Sequence, residues 1–116
     1  MEAILQWQIH WVSLEPVQGS EQGGTRPVLV VSSELVHSSL TVCTILPITT
    51  RKEGRRVYPV EVLLPAGTGG LSVDSIVMAQ QIRTLSKNRF VGLCGELDEL
   101  SLKEAVKAAM RRHLAL

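Results

Sequence analysis

The residues best equipped for chemistry in this chain stand in two places. The first is Gly19–Pro27, where Ser20, Glu21, Gln22 and Arg26 lie among Gly19, Gly23 and Gly24. A carboxylate accepts protons, an amide donates and accepts hydrogen bonds, and a guanidinium offers a planar fork that fits carboxylate or phosphate oxygens. The second is Thr49-Thr50-Arg51, followed at once by Lys52-Glu53-Gly54-Arg55-Arg56. Four basic residues against one acid make that run either a solvated loop or a phosphate-facing patch, because Lys and Arg supply most sequence-independent affinity for nucleic acid. The glycine-rich stretch contains neither GxGxxG nor GxxxxGK[ST], so it is not a dinucleotide or P-loop fingerprint. On spacing alone, Arg26 is evenly balanced between fixing its own loop and serving a ligand.

Other reactive side chains suggest little. Cys43 and Cys94 sit in apolar runs without a CxxC spacing and read as buried free thiols. His10, His37 and His113 are far apart and make no HExxH. No metal site and no cofactor are expected.

The elements that must hold these residues follow from periodicity. Leu5, Trp7, Ile9 and Trp11 alternate with polar neighbours, which predicts a half-buried strand with both tryptophans on its core face. Pro27 lacks an amide donor and belongs at the mouth of a strand, ahead of the apolar run 28–32. Arg26 is thereby placed where a polar loop meets a rigid strand. Ser32-Ser33-Glu34 can cap a short helical turn before Thr41. The β-branched stretch 41–48 is a further strand that ends or bulges at Pro47 and delivers Thr49, Thr50 and Arg51 to its end. Strands are predicted over 57–64, 75–79 (continued by 80–84) and 90–97, with a plain turn at 65–70 and a helical turn at 86–89. From about Asp98 the period changes: Leu102, Ala105, Val106, Ala109, Met110 and Leu114 form one face of a helix, with Ser101 and Glu104 spaced as a capping box. Five or six short strands and one terminal helix predict an α+β fold, a small curled sheet or partly open barrel.

At 116 residues the whole chain, 1–116, fits one domain, and 45% apolar with 20% charged residues argues against disorder. A net charge of +1 excludes no partner. No apolar run approaches the roughly 18 residues of a membrane span, and Met1-Glu2-Ala3 does not open a signal peptide. The expectation is a cytoplasmic protein without a membrane partner.

At Glu15-Pro16 and Gly19–Val28 the sequence resembles the MazF/PemK-type toxin endoribonucleases of bacterial toxin–antitoxin pairs. Pro47-Ile48-Thr49 resembles that family's second motif, Asp74-Ser75 with Gln81-Ile82-Arg83-Thr84 its third, and the helix from Asp98 falls where the family has one. The family usually opens its first strand with Gly-Asp, where this chain has Trp7-Gln8. The resemblance implies an SH3-like, partly open β-barrel with a C-terminal amphipathic helix, acting as a homodimer. It implies metal-independent cleavage of single-stranded RNA to a 2′,3′-cyclic phosphate and a 5′-hydroxyl, and neutralisation by a cognate antitoxin. Carried over position by position, it makes Arg26, Thr49 and Glu21 the catalytic residues. Ser20, Gln22, Thr50, Arg51, Lys52, Arg55, Gln81 and Arg83 become candidates for RNA contact.

The residue types suit that chemistry. Without a metal the RNA's own 2′-hydroxyl must attack, Arg26 can offset charge on the phosphorane, Glu21 can take the hydroxyl proton, and Thr49 can bind a non-bridging oxygen. Two rivals are a toxin of the same barrel class that poisons a DNA topoisomerase, and an RNA-binding module without turnover. The second is disfavoured by a shortage of exposed aromatics, Tyr58 and Phe90 alone remaining outside the first strand.

Overall fold

A computed structural model describes residues 3–14 and 24–116. Glu15, Ser20, Glu21 and Gln22 lie outside the described residues. The elements are β1 (Gln8–Ser13), β2 (Thr25–Val30), α1 (Glu34–Ser39), β3 (Val42–Thr50), β4 (Glu61–Leu64), β5 (Ser75–Met78), β6 (Arg83–Ser86), β7 (Phe90–Glu96) and α2 (Leu100–Leu114). Short 3-10 turns occupy Thr68–Gly70, Ala79–Gln81 and Lys87–Arg89. The seven strands pair antiparallel in the order β4-β5-β3-β2-β1-β7, with β6 beside β3, in an unclosed sheet flanked by two helices.

The sheet is buried on both faces at its centre, as the unbroken apolar run of β2 requires. On one face Ile9, Leu29, Leu46, Ile48 and Val77 pack with Val106 and Ala109 of α2. On the other, Val12, Val28, Val30, Cys43, Ile45 and Leu85 form a second cluster. Each fully buried Leu, Ile or Val contributes about 1.5–3 kcal/mol. Burial raises the thiol pKa of both Cys43 and Cys94.

β3 is the longest strand because it serves two neighbours. Residues 42–45 pair with β6 and residues 48–50 with β5. Of the two expectations for Pro47, an end or a bulge, the end is not met, since the strand runs through it to Thr50. It sits between those two ladders, where a missing amide donor costs little, and opposite Val28 of β2. Other expectations shift in similar ways. The predicted strand 57–64 shrinks to Glu61–Leu64, because a turn at Tyr58–Glu61 and the Glu61 side chain hold its first half. The expected continuation of β5 breaks into a 3-10 turn and a separate β6. α2 begins at Leu100 behind Glu99, without a side-chain cap, so the capping box does not form.

Trp7 is not in β1. It precedes the strand at φ 73, the left-handed region, with its N–H on the Val30 carbonyl (2.8 Å) and its own carbonyl accepting from Leu97 N (2.8 Å). Its ring packs on the α2-side core, with the Lys103 and Lys107 ammonium groups 5.8 and 6.0 Å from the ring centroid.

Candidate active site

Where β1, β2, β3 and β5 reach one end of the sheet, their residues line a cleft of about 280 Å³. Arg26 enters it from β2, and Thr49 and Thr50 from β3. Strand register explains the meeting: Val28 lies opposite Pro47, so two residues further along each strand Arg26 and Thr49 fall at matched positions on one sheet face. A residue insertion in either strand would break the match. Arg26 is exposed, whereas Thr49 is half-buried between β2 and Ile76 of β5. Among the described lining residues, Arg26 carries the one formal charge.

The far wall is the segment Gly70–Val73, and the expected plain turn ahead of it is a tightly fitted one. Gly70, at φ 82, lies so close to β7 that a Cβ there would stand 2.2 Å from the Cys94 carbonyl oxygen. Ala66 N donates to Asp74 Oδ1 (2.8 Å), and Arg51 N to the Asp74 carbonyl (2.9 Å). Asp74 therefore joins this wall to the end of β3. Ser75, buried opposite Thr50, turns its hydroxyl to the Val73 carbonyl (2.9 Å).

The floor corrects the reading of Trp11 as a core residue. Its strand face is covered at Ile9, but at Trp11, opposite Pro27, the cover ends and the ring is 40% exposed in the cleft. The β1–β7 pairing also slips between Trp11 and Val12, a local irregularity of the sort that re-aims a side chain. The alternation was readable in the sequence; where the packing stops was not. The cleft thus includes an exposed aromatic ring, so exposed aromatics are not confined to residues outside the first strand.

The remaining candidates divide. Thr50 lines the cleft, while Arg51 and Lys52 are exposed just beyond it, with Arg51 Nε donating to the Arg55 carbonyl (3.1 Å). Arg55 is committed elsewhere: its two terminal nitrogens reach Glu61 Oε1 and Oε2 at 3.0 and 2.9 Å. Burial pushes the Glu61 carboxyl up, but Arg55, the Gln80 amide (2.7 Å) and Tyr58 N–H (3.1 Å) outweigh it and hold the group below the usual glutamate range. Gln81, at the 79–81 turn, and Arg83, on β6 opposite Ile45, are half-buried and lie outside this cleft. Glu21, Ser20 and Gln22 fall outside the described residues. His10 and His37 are buried, with Gln8 Oε1 2.8 Å from His10 Nε2 and Ser32 Oγ 3.2 Å from His37 Nδ1; burial lowers both pKa values. Among the described residues no three His, Cys, Asp or Glu side chains gather as metal ligands, and no helix is long and apolar enough to cross a membrane.

Comparison with known proteins gives these features a setting. Residues 5–114 match the model of the PemK-like, MazF-like toxins of type II toxin–antitoxin systems. The chain is 36% identical over 115 residues to the endoribonuclease MazF9 of Mycobacterium tuberculosis, covering 95% of this chain and 92% of that protein. It is 32% identical over 108 residues to the endoribonuclease EndoA of Bacillus subtilis, covering 93% and 91%. Its fold superposes on a crystal structure of MazF from Deinococcus radiodurans with a TM-score of 0.83, at 28% identity and with both chains covered completely.

Proposed function

This chain belongs to the PemK-like, MazF-like toxins of type II toxin–antitoxin systems, and on that premise we propose that it cuts single-stranded RNA in the cleft of Arg26 and Thr49. The observation that supports this reading best is the matched placement of those two residues on adjacent strands. The attacking group is the RNA's 2′-hydroxyl: its oxygen bonds to the neighbouring phosphorus as the bond from phosphorus to the 5′-oxygen breaks. One fragment ends in a 2′,3′-cyclic phosphate and the other begins with a 5′-hydroxyl. The 2′-hydroxyl proton passes to a base, and a proton is delivered to the leaving oxygen.

Arg26 stabilises the extra negative charge on the phosphorane through its fork of donors. It is a poor base, because a guanidinium gives up a proton only above about pH 12. Thr49 donates to a non-bridging oxygen. The assigned base is Glu21, the one acid in the Gly19–Pro27 stretch. Trp11, exposed in the same cleft, stacks a base of the bound strand, a contact whose loss costs about 1–3 kcal/mol in single-strand binders. Thr50, Arg51 and Lys52 carry the strand away from the cleft. Gln81 and Arg83 serve RNA only from outside this cleft. The protein works in the cytoplasm as a homodimer, opposed by a cognate antitoxin.

The test is a long single-stranded RNA incubated with the protein in excess chelator, beside Arg26→Ala and Thr49→Ala. Discrete fragments with cyclic phosphate ends are expected from the parent and almost none from either variant. Binding without fragments would instead favour an RNA-binding module. Neither binding nor cleavage, with topoisomerase inhibition, would favour a poison.

A further inference from the structure

Beyond the cleft, the segment joining β3 to β4 has no regular structure between Arg51 and Val60, yet it is firmly tied. Its anchor is Glu61, whose side chain has no exposed area. Oε1 accepts from Arg55 and from Tyr58 N–H, and Oε2 from Arg55 and Gln80, so the carboxylate is saturated with donors. Glu61 N returns a bond to the Tyr58 carbonyl (2.8 Å), and Arg112 reaches across from α2 to the Pro59 carbonyl (3.0 Å). Saturating a buried carboxylate makes the local geometry costly to change.

What this scaffold displays is an aromatic ring. Tyr58 is 48% exposed, and the Arg56 guanidinium lies 5.0 Å from its ring centroid. Tyr and Arg together suit one ligand class well: an unpaired base stacks on the ring or guanidinium plane while the positive charge meets the adjoining phosphate. Arg112 is bonded to the neighbouring Pro59, and the exposed Arg51 and Lys52 lie in the chain between Thr50 of the cleft and this segment.

We propose that Tyr58 and Arg56, held in place by the buried Glu61–Arg55 pair, form a second nucleotide subsite that stacks one base of single-stranded RNA beyond the cleft. This rests on the RNA-cleaving function proposed above. Arg55 is then a positioning residue, and Arg56 carries the contact. The subsite makes affinity depend on RNA length, because a short substrate occupying the cleft alone cannot reach it.

Two RNAs sharing one cleaved site test this, one spanning the cut by a nucleotide on each side and one extended by several. Parent, Tyr58→Ala, Tyr58→Leu, Tyr58→Phe and Arg56→Gln are compared by kcat and KM at several salt concentrations. On the extended RNA, Tyr58→Ala and Tyr58→Leu are expected to raise KM roughly 5- to 100-fold with kcat unchanged, and Tyr58→Phe to match the parent. Arg56→Gln should raise KM and flatten the salt dependence by about one unit of slope. On the minimal RNA all four should equal the parent. The proposal is overturned if Tyr58→Leu retains parental KM on the extended RNA, or if losses are equal on both substrates. Failure of the parent to cut either RNA would remove the function itself, and the subsite with it.

Discussion

Replacing Trp7 with glycine sets two opposed effects against each other, and the structure decides between them. A tryptophan at φ 73 carries backbone strain of roughly 1–2 kcal/mol, which glycine relieves. The same change removes a half-buried ring from the α2-side core. About 100 Å² of buried apolar surface corresponds to roughly 2.5 kcal/mol, and the two lysines over the ring add about 0.5–1 kcal/mol. Glycine's extra freedom in the unfolded chain costs a further 0.5–1 kcal/mol or so. Packing wins, and Trp7→Gly should be less stable by about 2–3 kcal/mol. In a domain of this size that lowers Tm by roughly 8–12 °C. Trp7→Ala should fall about 1 kcal/mol further, because it loses the ring and keeps the strain. Thermal unfolding of parent and both variants gives the answer, with RNA cleavage at low temperature as a control, since Trp7 does not line the cleft. An unchanged or higher Tm for Trp7→Gly would refute the reasoning, by showing that strain at position 7 outweighs what its ring contributes.

Three further outcomes follow from other contacts. Because the folded-state pKa of Glu61 is depressed, its contribution is present above the unfolded value of about 4.3 and is lost as pH falls through the folded value. Thermal melts from pH 6 to 3 should therefore decline less steeply in Glu61→Gln than in the parent, although the variant starts about 2 kcal/mol lower at pH 7. Burial also lowers the folded-state values of His10 and His37, so each costs stability as pH drops below the unfolded value of about 6.5. His37→Asn should flatten the Tm profile between pH 7 and 5; an unaltered profile would show that His37 does not titrate there. Gly70→Ala must displace the Cys94 carbonyl or the cleft wall, so both a Tm loss of about 10 °C and a fall in kcat are expected, measured on one preparation.

The parts of this molecule that follow from local chemistry were legible in the sequence. The period of α2, the apolar run of β2 and the delivery of Thr49 to a strand end all depend on neighbours along the chain. Which residues share a cleft depends on register, and no local pattern encodes it. Trp11 illustrates the gap: its alternation is that of a core residue, but the layer that would bury it stops one pair earlier, beside Ile9 and Leu29. The basic stretch 51–56 misleads for another reason. Arg55 is chemically indistinguishable from Arg56 in sequence, and the buried carboxylate that claims it lies six residues on, in what reads as an apolar strand. The cleft wall at Gly70–Val73 was missed because Gly69 and Gly70 read as part of a plain turn, when they are small so that β7 can pass close by.

The central claim is that the substrate brings its own nucleophile to the Arg26 guanidinium. It is tested most directly with one cleavable RNA and its twin carrying a single 2′-deoxy sugar on the 5′ side of the scissile phosphate, both in excess chelator. The unmodified strand should be cut to a cyclic phosphate and a 5′-hydroxyl, while the twin stays intact at that bond though it binds as tightly. Cleavage of the twin at the same phosphate would contradict the account.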